Sequence, residues 1–237
     1  MSNTWFQFKE FKINQNRTAM KVGVDGVLLG AVSHLEQAKT ILDIGAGTGI
    51  LSFMAAQRTR AHITALEIEK NAFLQCKENI KLNEKEQRIN LINISFQTYL
   101  KISENKFDNI ICNPPFFENS FKSESLSRNI ARHSEMLPKE ELIEGVSCLL
   151  KDNGLFSAIL PSEFENVFEQ ICNNYGLFCR YKTIIFPKED KTPNRIILEF
   201  SLKKYATKTG KIVIRENDTN QYTKTYKKLT KDFYLHF

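Results

Sequence analysis

Ile41-Leu42-Asp43-Ile44-Gly45-Ala46-Gly47-Thr48-Gly49-Ile50 joins an apolar strand to a helix through three glycines spaced two apart. Glycine lets a backbone turn sharply and lets a ligand approach the main chain. Outward from this stretch, short apolar runs predict strands over 40–44, 62–67, 89–94, 107–112, 155–160, 180–186 and 195–202. Amphipathic stretches between them predict helices over 49–58, 71–83, 138–151 and 163–175. Pro138 suits a first helical turn, and Leu142, Val146 and Leu149 repeat at helical spacing. Strands alternating with helices argue for βαβ units: an α/β, Rossmann-like architecture with helices on both faces of a mainly parallel sheet. The last two of the seven strands have only a polar loop between them, which predicts a closing antiparallel hairpin. Residues 1–39 precede this core of 40–202. After it come an apolar strand at 212–214 and a helix over 222–235, whose inner face is Tyr222, Tyr226, Leu229 and Phe233. Lys224, Lys227, Lys228 and Lys231 lie off that face. The whole of 1–237 reads as a single domain.

The glycine spacing is G-x-G-x-G and not the G-x-G-x-x-G of a dinucleotide loop. Asp43 fits poorly beside a pyrophosphate but suits a cationic sulfonium ligand with an ammonium group. Gly45, Gly47 and Gly49 therefore read as a cradle for S-adenosyl-L-methionine, with Asp43 beside it. Glu67 ends the apolar run 63–66, where an acid accepts hydrogen bonds from ribose hydroxyls. Glu69, nearby, reads as a surface residue.

The strand at 107–112 runs into Asn113-Pro114-Pro115-Phe116-Phe117. Two prolines hold the chain extended and remove two N–H donors, which leaves the Pro114 carbonyl free to face a ligand. With the Asn113 side-chain oxygen it makes two acceptors for the two hydrogens of one planar amino group. That grip orients the nitrogen lone pair toward a methyl donor. Phe116 can stack on a base. Read alone, the stretch is also compatible with a plain proline-rich loop.

Composition sets the context. The 237 residues are 42% hydrophobic and 25% charged, ordinary for a globular protein long enough to bury a full core. No apolar run approaches the roughly 20 residues of a membrane span, and the N-terminus lacks a secretory pattern. The five cysteines are scattered with no C-x-x-C pair, which argues against disulfides and metal and for a reducing cytoplasm. Cys112 and Cys148 read as buried small hydrophobes. From Lys203 onward nine Lys or Arg stand against three acids, so this segment carries the net charge of +6 and the first 202 residues are neutral. A basic tail on a neutral body suits a polyanion, or else is a solvated lysine-rich face.

Asn-Pro-Pro-Phe resembles the Asp/Asn/Ser-Pro-Pro-aromatic loop of amino-group methyltransferases. The chain as a whole resembles the bacterial tRNA1(Val) adenine-N6 methyltransferase family, of class I fold. The resemblance is carried by Phe11-Lys12-Ile13, by Met20-Lys21-Val22-Gly23-Val24-Asp25-Gly26-Val27-Leu28-Leu29-Gly30-Ala31, by Ala131-Arg132-His133, and by Tyr222-Thr223 with Asp232-Phe233-Tyr234-Leu235. It implies that Gly45, Gly47 and Glu67 hold the cofactor and that Gly23, Val24 and Asp25 close over its methionine end. Asn113, Pro114 and Phe116 would hold the adenine. Arg132 and His133 would meet RNA phosphate, or else form a structural pair beside the helix. Lys224, Lys227 and Lys228 of the tail would bind tRNA. Where relatives have an Asp for the cofactor adenine this chain has Ser95, leaving the Ser95 hydroxyl, a backbone group or a Phe96 contact to replace it. The expectation is a monomeric enzyme acting on tRNA, without metal or membrane. The rivals are guanine-N2, DNA adenine or release-factor glutamine methylation, a Rossmann oxidoreductase, and a non-catalytic RNA-binding protein.

Overall fold

A computed structural model describes residues 3–18, 20–114 and 137–237. An N-terminal hairpin, β1 (Trp5–Gln7) and β2 (Lys12–Asn14), leads to α1 (Val24–Val32). Then come β3 (Thr40–Ile44), α2 (Ile50–Arg58), β4 (His62–Leu66), α3 (Lys70–Leu82), β5 (Ile89–Ile92), α4 (Phe96–Ile102) and β6 (Phe107–Cys112). After residue 137 follow α5 (Lys139–Leu149), β7 (Leu150–Leu160), a 3-10 turn at Ser162–Phe164, and α6 (Glu165–Asn174). The chain then runs through β8 (Phe178–Lys188), β9 (Arg195–Ser201), β10 (Lys208–Arg215) and α7 (Lys224–Thr230).

The main sheet has eight strands in the order β10-β8-β9-β7-β6-β3-β4-β5. All pair in parallel except β9, which is antiparallel to both its neighbours. The antiparallel final core strand is as expected, but the β8–β9 hairpin does not end the sheet. β9 lies inside, between β7 and β8, because Ile196, Ile197, Leu198 and Phe200 are all buried and need cover on both faces. Half-buried β8 takes the outer place, and the tail strand β10 adds an eighth strand beyond it.

Side-chain alternation along the strands sorts the core into two layers. Ile41, Ile63, Ala65, Ile111, Ile159, Ile185 and Ile197 face α1, α2, α3, the hairpin and the tail. Leu42, Ile44, Leu66, Ile110, Phe156 and Leu198 face α4, α5 and α6. Helix α5 buries Leu142, Ile143, Val146 and Leu149, so Cys148 falls on its outer side and is exposed, against expectation. Cys112 is buried as expected, and all five cysteines are free thiols.

The tail helix is shorter than its periodicity suggests. Thr223 caps it by accepting from the Tyr226 N–H, and it ends at Thr230. The segment after it packs on the N-terminal hairpin, with Tyr234 against Phe6 and Phe8, and the hairpin in turn stacks Phe11 on Phe53 of α2. Lys9 donates its backbone N–H to the Phe233 carbonyl. The two ends of the sequence thus close one aromatic core.

Candidate active site

The sheet reverses its winding at β3, which has β4 on one side and β6 on the other; open α/β sheets bind ligands at the carboxyl ends of such strands. Ile44 pairs with both Leu66 and Cys112, and Leu66 pairs with Ile92. The residues that follow, Gly45, Glu67, Asn93 and Asn113, therefore leave adjacent strand ends at one level.

Gly45, Gly47 and Gly49 have φ of +74°, +57° and +88°, values that favour glycine. They divide by what a side chain would meet. A Cβ on Gly45 or Gly47 would find nothing within 4 Å, so both border open space. A Cβ on Gly49 would lie 2.8 Å from Cys76 Sγ and 3.0 Å from Phe53. Gly49 thus serves the packing of α2 on α3, and the open cradle is Gly45 to Gly47.

Two carboxylates sit beside the cradle. Glu67 is 7% exposed, and its Oε2 accepts from the Gly47 N–H and its Oε1 from the Glu69 N–H, both at 2.8 Å. Asp43 is fully buried under the loop, and its Oδ2 accepts from Ser52 Oγ of α2 at 2.6 Å. Its Oδ1 has no hydrogen-bond partner among the described residues. Burial, with a smaller push from the Glu67 charge, raises the Asp43 carboxyl to about 7. An open glycine cradle between two acids suits a ligand carrying positive charge and hydroxyls and opposes a pyrophosphate. S-adenosylmethionine, with sulfonium, ammonium and ribose, fits these residues.

The N-terminal arm reaches the cradle by contacts that leave little trace in the sequence pattern. Gln75 and Asn79 of α3 and its C-cap residue Asn83 recur every four residues, and their amides pair with the backbone of the arm as a neighbouring strand would. Asn83 accepts from the Lys12 N–H and donates to the Lys12 carbonyl, both at 2.8 Å. Asn79 makes the same two bonds with Asn14, both at 2.9 Å. Gln75 accepts from the Arg17 N–H at 3.2 Å. Asn79 also donates to the Thr48 carbonyl at 3.0 Å, so one buried amide holds both the arm and the glycine loop. Three amides on one helix face were the available signal.

The arm continues to Gly23, the extended cap of α1. A Cβ on Gly26 would lie 3.3 Å from Ile50 and one on Gly30 only 2.6 Å from Met54 Sδ, so α1 and α2 run in close contact. This contact sets Gly23, exposed Val24 and Asp25 beside the start of α2. Asp25 pairs with Arg195 Nε at 2.8 Å, which ties α1 to the first residue of β9 at the same edge of the sheet.

Comparison with known proteins matches this architecture. Residues 25–146 match the family described as Methyltransferase small domain. A Bacteroides fragilis protein named tRNA1(Val) (adenine(37)-N6)-methyltransferase is 40% identical over 236 residues, covering 99% of each chain. A protein of the same name from Trichodesmium erythraeum is 38% identical over the full length of both. The chain belongs to the tRNA1(Val) (adenine(37)-N6)-methyltransferase family. A predicted O-methyltransferase of Agrobacterium tumefaciens shares the fold, with a TM-score of 0.69 at 18% identity over 88% of this chain and 96% of that one. So does a T. thermophilus 16S rRNA methyltransferase in complex with AdoMet and guanosine, with a TM-score of 0.56 at 15% identity over 84% of this chain and 51% of that one.

Within this family member, Asn113 and Pro114 leave β6 half-buried beside the cradle. Phe116, Arg132 and His133 lie outside the described residues. Ser95 caps α4: its Oγ accepts from the Thr98 N–H at 3.0 Å and meets Thr98 Oγ1 at 2.7 Å. The Phe96 ring is buried against Gly145 of α5, where a Cβ would come within 2.5 Å of it. Asn93, not anticipated, donates to the Glu67 carbonyl at 2.7 Å and joins the ends of β4 and β5. Lys224 and Lys228 are exposed on α7 and Lys227 is half-buried, while Tyr226 and Thr230 face inward. Among the described residues no cluster of metal-ligating side chains occurs, and no helix is long and apolar enough to cross a membrane.

Proposed function

We propose that this protein transfers a methyl group from S-adenosylmethionine to N6 of an adenine in tRNA, at position 37 as the names of its relatives specify. The observation that carries this reading is the pairing of Ile44 with Cys112, which sets Asn113 next to Gly45 at the winding reversal. Bound S-adenosylmethionine supplies an electrophilic methyl group. Gly45 and Gly47 admit it to the main chain, Glu67 accepts from ribose hydroxyls, and Asp43 balances its positive charge. Gly23, Val24 and Asp25, carried by the arm, close over its methionine end. The Asn113 side-chain oxygen and the Pro114 carbonyl accept the two amino hydrogens of the adenine, and Phe116 stacks on its ring. An amino group held this way turns its lone pair out of conjugation and toward the methyl donor. The proton leaves after transfer, so no strong base is needed at the site. Arg132, His133, Lys224, Lys227 and Lys228 contact the RNA. The whole chain acts as one domain, a monomer in the cytoplasm.

Asn113→Ala tests the assignment. Methyl transfer to tRNA should fall by at least about a hundredfold, the scale of a misplaced reacting group. Cofactor affinity, measured by calorimetry, should stay within about twofold. Loss of cofactor binding in step with activity would remove Asn113 from the adenine-holding role.

A further inference from the structure

The far end of the sheet takes no part in holding cofactor or base, yet its composition is strongly one-sided. Residues 203–215 contain Lys203, Lys204, Lys208, Lys211 and Arg215 and no acid. Strand β8, paired beside β10, contains Arg180, Lys182 and Lys188 and again no acid. Lys182 is neutralised by Glu165 and Glu169 of α6, and Lys211 by Glu189. The other six cations have no carboxylate within salt-bridge distance among the described residues. Lys188 and Arg215 are direct partners across the strands, a like-charge pair that disfavours folding by itself and that an anion beside it relieves.

Aromatic rings are interleaved with these cations. The chain leaves β9, passes beneath the start of β8, and enters β10, exposing residues 203–211. On this passage Lys204 lies 4.6 Å over Phe178, and Arg180 lies 4.3 Å from the half-exposed Tyr205 ring and 5.2 Å from Tyr181. Toward the other end Lys211 covers Phe186 and Arg215 covers Tyr222. Cations alternating with flat rings around the outer edge of the sheet match a nucleic-acid backbone and its bases, whereas a protein partner would seek a larger apolar centre.

The track also points the right way. Lys188 and Arg215 end their strands at the carboxyl edge, where Asn113 leaves β6. Three strand spacings separate β8 from β6, roughly 14 Å, and β8 itself runs roughly 33 Å toward Arg180 and Lys204. We infer that the β8–β10 edge of the sheet, from Lys188 and Arg215 at its carboxyl end down to Arg180, Lys204 and Tyr205, binds the backbone of the substrate RNA away from the methylated base, with Lys208 and Lys211 on opposite sides of that edge. This inference rests on the RNA-methylating function proposed above.

The test is the triple variant Arg180→Ala/Lys204→Ala/Lys208→Ala, with Lys77→Ala/Lys81→Ala as a charge-removal control on exposed positions of α3. Tyr205→Ala separately removes an exposed ring without changing charge. In the triple variant the KM for tRNA should rise about tenfold or more, with kcat at saturating tRNA and cofactor affinity unchanged. The slope of log affinity for tRNA against log salt should shrink by about two to three, roughly one for each phosphate no longer neutralised. Tyr205→Ala should weaken tRNA binding with little change in that slope. A triple variant with the wild-type KM and salt slope, or a control pair that loses as much affinity, would overturn the inference while leaving methylation by the wild type standing. If the wild type itself methylated no tRNA, the functional reading would fail, and tRNA binding by wild type and variants would still decide the role of this edge.

Discussion

The two halves of the sheet handle charge in opposite ways. At the cradle, where β3 and β4 end, the charged groups are two buried acids: Asp43 lies wholly inside and Glu67 is locked to two backbone N–H groups. Around β8 and β10 they are cations, many and wet. A small ligand that brings its own positive charge is held well by acids shielded from water, where each contact is strong. A long polyanion needs many weak, screened contacts spread over a surface. The packing follows the same division: glycines in the first half let helices and ligand come close, and Gly210 in β10 faces open space, with only Thr183 Oγ1, at 3.9 Å, near its would-be Cβ.

One substitution made in both halves is the strongest challenge to this contrast. Gly49→Ala sets a methyl 2.8 Å from Cys76 Sγ at a positive φ. Overpacking and backbone strain together should cost about 3 kcal/mol in a urea titration. A loss under about 0.5 kcal/mol would mean that the loop is not tightly packed on α3.

The next effect concerns the buried acid. The Asp43 carboxyl, raised to about 7, stays protonated in the ligand-free protein up to that pH. A cationic ligand favours the ionised form, so binding expels the proton and tightens as pH rises. Between pH 6 and 8 the Kd for S-adenosylmethionine should fall about tenfold more in wild type than in Asp43→Asn. The variant is the reference because the α-amino group of the cofactor also titrates in this range. Parallel pH profiles for the two proteins would show that Asp43 does not sense the ligand charge.

The smallest effect is the mirror of the first. Gly210→Ala on the open strand should raise stability by about 0.5 kcal/mol, because alanine gives up less backbone entropy on folding. A loss as large as that of Gly49→Ala would make the two halves equally packed and erase the distinction.

How much of this could be read in the sequence depends on the range of the contact. Strands Thr40–Ile44 and Phe107–Cys112 appear with the expected bounds because each is an apolar run ended by a glycine or proline turn. The glycine loop and the Asn113 loop are equally local, and their meeting follows from the usual order of βαβ units. The site of β10 could not be read, since nothing in a short strand names its neighbour and β8 lies twenty or more residues upstream. The amide ladder of α3 was hidden for the same reason: Asn79 and Asn83 look like solvent-facing polar residues until Lys12 and Asn14 pair with them. The position of Gly49 in the motif suggested ligand contact; the second demand on it, the close approach of Cys76 and Phe53, is a packing contact that the motif does not name. Phe96, itself read as a contact for the cofactor adenine, has its ring drawn into the core by the missing side chain of Gly145.

The aromatic closure between the two ends has a consequence for synthesis. Lys9 bonds to the carbonyl of Lys231, 222 residues later. A ribosome has delivered the strands of the cofactor cradle well before Tyr226, Phe233 and Tyr234 emerge. The arm can pair with α3 early, through Asn79 and Asn83, yet Phe6 and Phe8 lack their tail partners until the last segment appears. At 5–20 residues per second that interval is on the order of ten seconds. The growing chain therefore passes through a stage with a formed cradle and an uncovered patch of phenylalanines, the stage at which a chaperone would recognise it.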